Sequence, residues 1–206
     1  MEKIKSDTDL NSARSQSRLP VSMLQKLWTQ LYEMRCEDLG IKVIDKQLIR
    51  FLQGVAKHLP FRRLALNDMG FGSHSAPVLC QLLRVGGSIQ DWTHVNLSLN
   101  KLGLNLAPIL NGLRKNTKLV SLRLANNDLG SNMNHVHLIR TFLMEHPSLT
   151  SIDLSNDDSN LNKNRLSNIG LEAVIDAMLD PRSLSVISMI NFAQNNILSS
   201  QPETFR

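Results

Sequence analysis

From Phe61 onward the aliphatic residues fall into one frame that returns about every thirty residues, the spacing of an array of structural repeats. The frame reads Phe61-x-x-Leu64-x-Leu66-x-x-Met69-x-Phe71-Gly72, then Trp92-x-x-Val95-x-Leu97-x-x-Asn100-x-Leu102-Gly103, then Leu119-x-x-Leu122-x-Leu124-x-x-Asn127-x-Leu129-Gly130. A fourth copy, Leu149-x-x-Ile152-x-Leu154-x-x-Asp157, has its matching Ile169-Gly170 late, and a fifth, Ile187-x-x-Ile190-x-Phe192-x-x-Asn195-x-Ile197, closes the series. The steps between Leu64, Val95, Leu122, Ile152 and Ile190 are 31, 27, 30 and 38 residues. A poorer copy stands upstream as Leu31-x-x-Met34-x-Cys36-x-x-Leu39-x-Ile41.

Each x-Leu-x-Leu-x segment has period two, so both leucines leave one face of a short strand. A single such unit cannot bury that face, whereas parallel stacking buries it between neighbours. Asn100, Asn127 and Asn195 follow the strands, where a carboxamide can satisfy backbone groups that the bend leaves unpaired. Met69 and Asp157 hold this place in two copies, and Met69 cannot do that work, which predicts a different local turn. After each strand the apolar spacing changes to 3.6, the helical signal. The stripes are Leu106, Ala107, Ile109, Leu110 and Leu113; then Met133, Val136, Ile139, Phe142 and Leu143; then Leu171, Val174, Ile175, Met178 and Leu179. In the first repeat the helix is expected over about Ser73 to Val85, stopped by Gly86-Gly87.

On these residues the chain, from about Leu31 to Leu198, resembles the leucine-rich repeat of the ribonuclease-inhibitor type. The resemblance implies an α/β leucine-rich repeat solenoid of five to six repeats, with a curved parallel β-sheet on the concave side and α-helices on the convex side. It also implies a non-catalytic role, since family members generally bind protein partners on the inner face and adjoining loops, many as scaffolds in cytoskeletal, ciliary or signalling assemblies. Tyr32-x-x-x-Cys36-x-x-Leu39-Gly40-Ile41 looks like the opening of several ciliary and centrosomal members.

The ends of such a stack need covers. Pro20 is placed to open a helix with an apolar face of Leu24, Leu27, Trp28 and Leu31, widened by Met23, which reads as an N-terminal cap. The same Leu19-Pro20-x-x-x-Leu24-x-x-Leu27-x-x-x-Leu31 looks like the opening of an F-box, which would imply a substrate adaptor of a ubiquitin ligase; the Val-Cys-Arg-x-Trp stretch of that family is missing. The expected division is a disordered polar tail over 1–19, the capped repeat domain over 20–198 and a tail over 199–206. That tail is too short for a covering helix, so the expectation is that either the natural protein continues or another chain covers the last repeat.

Composition adds little beyond 35 leucines and 19 asparagines. The net charge of +5 raises the question of nucleic acid, but the basic residues are scattered and aromatics for stacking make up only 4%, which argues against it. No apolar run is long enough to span a bilayer, and no secretory h-region precedes the repeats. Two cysteines, Cys36 and Cys80, read as small core residues of a protein in a reducing compartment, cytoplasmic or nuclear. The sequon Asn96-Leu97-Ser98 falls on an expected strand and is discounted. No phosphate-binding loop, zinc-ligand spacing or triad motif is present, and His135-x-His137 points to two sides of a helix, so no enzyme activity, metal or cofactor is expected.

What remains is the strand face turned away from the core. Its residues read Glu33, Arg35, Glu37; Arg63, Ala65, Asn67; His94, Asn96, Ser98; Ser121, Arg123, Ala125; Ser151, Asp153, Ser155; and Met189, Asn191, Ala193, with Asp68, Asn126 and Asn156 at the loop edge. A partner-docking face centred on Arg63, His94, Asn96, Arg123, Asn126 and Asp153 is the candidate site, suited to a polar contact. Trp92 stands at a leucine position and is expected in the core. The insert between Asp157 and Ile169 is a second candidate.

Overall fold

The structure is a computed structural model that describes residues 21–157 and 163–197. Helices α1 (Val21–Asp38) and α2 (Asp45–His58) lead into alternating strands and helices: β1 (Arg63–Ala65), α3 (Ser75–Gln90), β2 (His94–Asn96), α4 (Leu106–Leu113), β3 (Ser121–Arg123), α5 (Met133–Glu145), β4 (Ser151–Asp153), α6 (Ser167–Leu179) and β5 (Met189–Asn191). The strands form one five-stranded parallel sheet in the order β1-β2-β3-β4-β5. The fold is therefore α/β, each strand joined to the next by a helix.

Register follows the repeat frame. Leu64 lies opposite Val95, Val95 opposite Leu122, Leu122 opposite Ile152 and Ile152 opposite Ile190. One pleat further, Leu97, Leu124 and Leu154 stand on successive rungs, the Leu97 amide donating to Arg123 O at 2.9 Å and the Leu124 amide to Asp153 O at 2.8 Å. All three are fully buried, as is Trp92. Each such side chain contributes about 1.5–3 kcal/mol through removal from water.

The bends after the strands are held by a ladder of buried asparagines. The Asn100 carboxamide donates to Leu66 O (2.7 Å) and Leu97 O (3.0 Å) while its Oδ1 accepts the Met69 amide (2.9 Å). The Asn127 carboxamide donates to Leu97 O (3.0 Å) and accepts the Asn100 amide (3.0 Å). In the fourth repeat the expected Asp157 does not fill this place. Asn164 does, donating to Leu124 O (2.9 Å) and Leu154 O (3.0 Å) and accepting the Asn127 amide (2.8 Å). The chain leaves the ladder at Asp157 and rejoins it seven residues later, because a carboxylate has no N–H to donate. The Leu-Gly step also has a packing cause: a Cβ on Gly103 would lie 2.6 Å from Asp128 O, and one on Gly130 2.3 Å from Asn164 O.

The N-terminal end departs from expectation. The segment Leu31 to Ile41 is not a strand but the last turns and stop of α1, so Glu33, Arg35 and Glu37 do not belong to the sheet face. Leu24, Leu27, Trp28 and Leu31 are buried as foreseen, and the stripe simply continues at helical spacing through Tyr32 and Cys36. Met23, by contrast, is exposed. Leu39-Gly40-Ile41 is a helix stop: Gly40 has φ 62°, its amide donates to Glu37 O and the Ile41 amide reaches back to Cys36 O. Helix α2, unforeseen, sets Phe51 against Trp28 (ring centroids 6.2 Å apart) and Tyr32 (5.4 Å), while Trp28 also meets Trp92 at 6.3 Å. The cap is thus a helix pair. The Leu24–Leu31 face lies inside it, and Leu19 and Pro20 fall outside the described residues, as do the tails over 1–19 and 199–206.

Helix α3 runs through Gly86 and Gly87 to Gln90 and stops at Asp91 in the left-handed region (φ 50°). The glycines are packing positions rather than a cap, for a Cβ on Gly86 would sit 2.3 Å from the Trp92 ring. In α6 the buried residues are Gly170, Ala173, Val174 and Ala177, whereas Ile175, Met178 and Leu179 of the expected stripe are exposed.

Candidate functional site

Successive strands place one residue each on the solvent side of the sheet at every second position. Arg63, His94, Ser121, Ser151 and Met189 form one row across the five strands, and Ala65, Asn96, Arg123, Asp153 and Asn191 form the next. Arg63, His94 and Arg123 are exposed, whereas Asn96 and Asp153 are half-buried.

The second row opens into a polar cleft of about 260 Å³, whose lining includes Asn67, Asn96, Arg123, Asn126, Asp153 and Asn156. Arg123 Nε lies 3.8 Å from Asp153 Oδ2, and with the Arg123 side chain 62% exposed this is a loose, water-screened pair. Asp153 is better occupied locally, since its Oδ1 accepts the Ser155 hydroxyl at 2.6 Å and the Ser155 amide at 3.1 Å. The Asn96 carboxamide touches Asn67 Oδ1 at 3.4 Å and accepts the Ser98 amide at 3.1 Å. Arg123 thus has the freest charged head in the cleft.

The structure brings four of the six expected residues together, Asn96, Arg123, Asn126 and Asp153. Arg63 and His94 lie side by side in the neighbouring row, outside that lining. Asn126 is corrected: it is 3% exposed, in the left-handed region (φ 52°), and its Oδ1 accepts the Asp157 amide at 3.3 Å, so it shapes the turn and offers little to a partner. Asn67 belongs to the cleft through the same period-two pattern, and Asn156 joins it from the buried loop edge one position off that pattern. The pair His94 and Thr93 meet at 2.9 Å (Nδ1 to Oγ1). Partial desolvation first, and the Arg63 charge second, push the His94 imidazole below its usual pKa, which favours its neutral form.

The cap reaches this side of the molecule too. The Arg35 guanidinium donates to Met69 O, taking up a carbonyl at the bend where Met69 stands in place of asparagine. Asp38 accepts the amides of Gly72 (2.8 Å), His74 (2.8 Å) and Ser75 (2.9 Å) and the Ser75 hydroxyl (2.5 Å) at the start of α3. Burial alone would raise its pKa, but the Ser75 hydroxyl and the three amides outweigh this and lower it to about 2.

On the helix side a groove of about 350 Å³ lies between α4 and α5, floored by Leu110, Leu138 and Phe142. It exists because α4 has eight residues against thirteen in α5, leaving the longer helix partly uncovered. His135 is buried with Nδ1 3.1 Å from Leu129 O, and His137 is exposed, so the two do not converge. Among the described residues no cluster of three or more His, Cys, Asp or Glu is placed to hold a metal ion, and no helix is long and apolar enough to cross a membrane. Cys36 and Cys80 are unpaired thiols, one buried and one half-buried. No family model matches the chain, and no curated protein matches it.

Proposed function

We propose that the protein is a leucine-rich repeat module of the ribonuclease-inhibitor type, without catalytic activity of its own, that docks another protein on the solvent face of its sheet. Arg63, His94, Asn96, Arg123 and Asp153 are the contact residues of this reading. The observation that carries it is the register: strands in strict succession line up a polar surface that includes exposed Arg63 and Arg123 heads and a cleft of short carboxamides. Such a surface favours a hydrogen-bonded, polar contact over a greasy one. A scaffold or regulator of an intracellular assembly is the role that fits. The F-box alternative loses support, since Leu24, Leu27, Trp28 and Leu31 are covered by the protein's own core.

The test begins with proximity labelling to identify a partner, followed by binding measurements on Arg63→Glu and Arg123→Glu. Both side chains are exposed, so the fold is expected to keep its melting temperature within a degree or two, surface changes having small effects of about 0.5 kcal/mol or less. Affinity is expected to fall about tenfold or more for the double variant, a loss of about 1.4 kcal/mol. Unchanged binding by a folded double variant refutes the sheet-face reading.

A further inference from the structure

Lys and Arg are scattered along the chain, but the acids are not. From Leu39 to Asn67 six Lys and Arg stand against one acid, Asp45, an excess of five that equals the charge of the whole chain. The remaining residues therefore balance to zero, and the excess sits on the cap and the first strand.

Helix α2 turns its share of this charge straight outward. Lys46, Arg50 and Lys57 fall on one stripe at 100° per residue, opposite Phe51, Leu52 and Val55, which pack on the core. Lys42 precedes them in the loop between α1 and α2. All four are exposed, and none pairs with a carboxylate among the described residues.

The loop ahead of the stripe is apolar although it faces water. Ile41, Val43 and Ile44 are exposed, and Ile49, on α2 beside the stripe, is 54% exposed. Leu39 is braced, since its Cδ2 lies 2.7 Å from where a Cβ on Gly70 would stand, but a Cβ on Gly40 would meet no atom of the described residues within 4 Å. These apolar side chains border open space instead of lining a groove. Exposed apolar residues grouped in this way mark a contact surface.

Charge and shape together select the occupant. Single-stranded nucleic acid would meet the stripe but is gripped by stacking aromatics, which Ile and Val do not supply. A second copy would set one positive stripe against another. Residues 1–20 carry four Lys or Arg against three acids and so bring no counter-charge. An acidic protein helix would answer the stripe, yet side chains on an open loop give it no groove to lie in. An anionic bilayer answers both features, because a fluid apolar layer beneath a negative surface accepts side chains of any outline.

We infer that the loop between α1 and α2, with the outer face of α2, binds an anionic phospholipid surface. Ile41, Val43 and Ile44 enter the interfacial layer, and Lys42, Lys46, Arg50 and Lys57 meet the headgroups. Apolar insertion and a basic patch are two signals that together make peripheral binding stable. The contact uses neither Arg63 nor Arg123, so it stands or falls independently of the docking face.

The experiment is vesicle sedimentation of the full chain, comparing phosphatidylcholine alone with phosphatidylcholine holding about 30% phosphatidylserine. Binding is expected to be at least about tenfold tighter on the anionic vesicles and to weaken as salt rises from about 0.1 to about 0.5 M. Lys46→Glu combined with Arg50→Glu is expected to lose at least about tenfold in affinity. Ile41→Ser combined with Ile44→Ser is expected to lose about as much while the salt sensitivity remains. Arg63→Glu combined with Arg123→Glu leaves vesicle binding unchanged. Should a loop or stripe variant not fold, hydrogen exchange on the wild-type chain decides: the amides of Lys42 to Ile44 are expected to slow on anionic vesicles, and unchanged exchange there refutes the contact. Absence of binding, equal binding to both vesicle types, or undiminished binding by either folded variant pair overturns the inference. So does loss of binding in the Arg63 and Arg123 variant, or a chain that ignores vesicles but is retained on an oligonucleotide or on polyglutamate.

Discussion

Asn164→Ala removes the carboxamide that closes the third bend, and the structure sets the cost. The side chain is fully buried, donates to two carbonyls at 2.9 and 3.0 Å and accepts the Asn127 amide at 2.8 Å; weaker contacts reach Ser155 O and the Leu129 amide at 3.4 Å. A buried polar group left without a partner costs about 1–3 kcal/mol, but the small void after truncation lets some of the three main groups tilt toward one another. A net loss of about 3–5 kcal/mol follows, a large part of the 5–15 kcal/mol that holds a typical domain together. With a urea m-value of about 2–3 kcal/mol/M, the midpoint of unfolding moves down by about 1–2 M. Asp157→Ala is the paired control. The repeat frame assigns the ladder place to Asp157, yet this residue is exposed, and its replacement is expected to shift stability by less than about 1 kcal/mol. Urea titrations followed by far-UV circular dichroism separate the two. If Asp157→Ala costs more than Asn164→Ala, the ladder as described is wrong.

Two further variants test the packing and the cap. Gly86→Ala, usually favourable within a helix, is expected to cost about 2–3 kcal/mol, because the new methyl meets the immobile Trp92 ring; thermal melts and a shift in Trp emission report it. Asp38→Asn is expected to cost about 1–2 kcal/mol at pH 7. Its pH dependence has a definite sign: the folded pKa of about 2 lies below the ordinary value, so the stabilisation is complete above about pH 4 and disappears as pH falls toward 2. The variant should therefore show a flatter acid limb in that window, and an unchanged limb rejects the capping role.

Much of the sheet could be read from residue order alone. Two aliphatic residues at period two, followed by asparagine three residues later, mark β2 (Val95, Leu97, Asn100) and β3 (Leu122, Leu124, Asn127) without ambiguity, and the same rhythm finds β1, β4 and β5. Failures arose where two patterns overlap. Leu31, Met34 and Cys36 satisfy the strand frame, but Leu24, Leu27, Trp28, Leu31, Tyr32 and Cys36 satisfy helical spacing over a longer span, and the longer hydrogen-bonded element wins. Helix α2 was open to detection through Leu48, Phe51, Leu52 and Val55. Spacing within one repeat could not reveal that Gly86 answers to Trp92, or that Asn164 replaces Asp157, because both depend on contacts made after the chain has folded back. At the candidate site, alternation placed Asn96, Arg123 and Asp153 on one face, yet only the turn geometry shows that Asn126 is turned inward.

The asparagine ladder is directional. Each carboxamide completes the bend of the repeat before it: Asn100 serves Met69, Asn127 serves Asn100, and Asn164 serves Asn127. Dependence therefore runs backward along the polypeptide. Deleting a unit from the β5 side orphans its predecessor, and the damage can travel toward the cap, whereas copying an interior unit in tandem leaves every link closed. Lengthening by internal duplication is thus the gentle route by which such an array changes size, and erosion from its far end the harsh one.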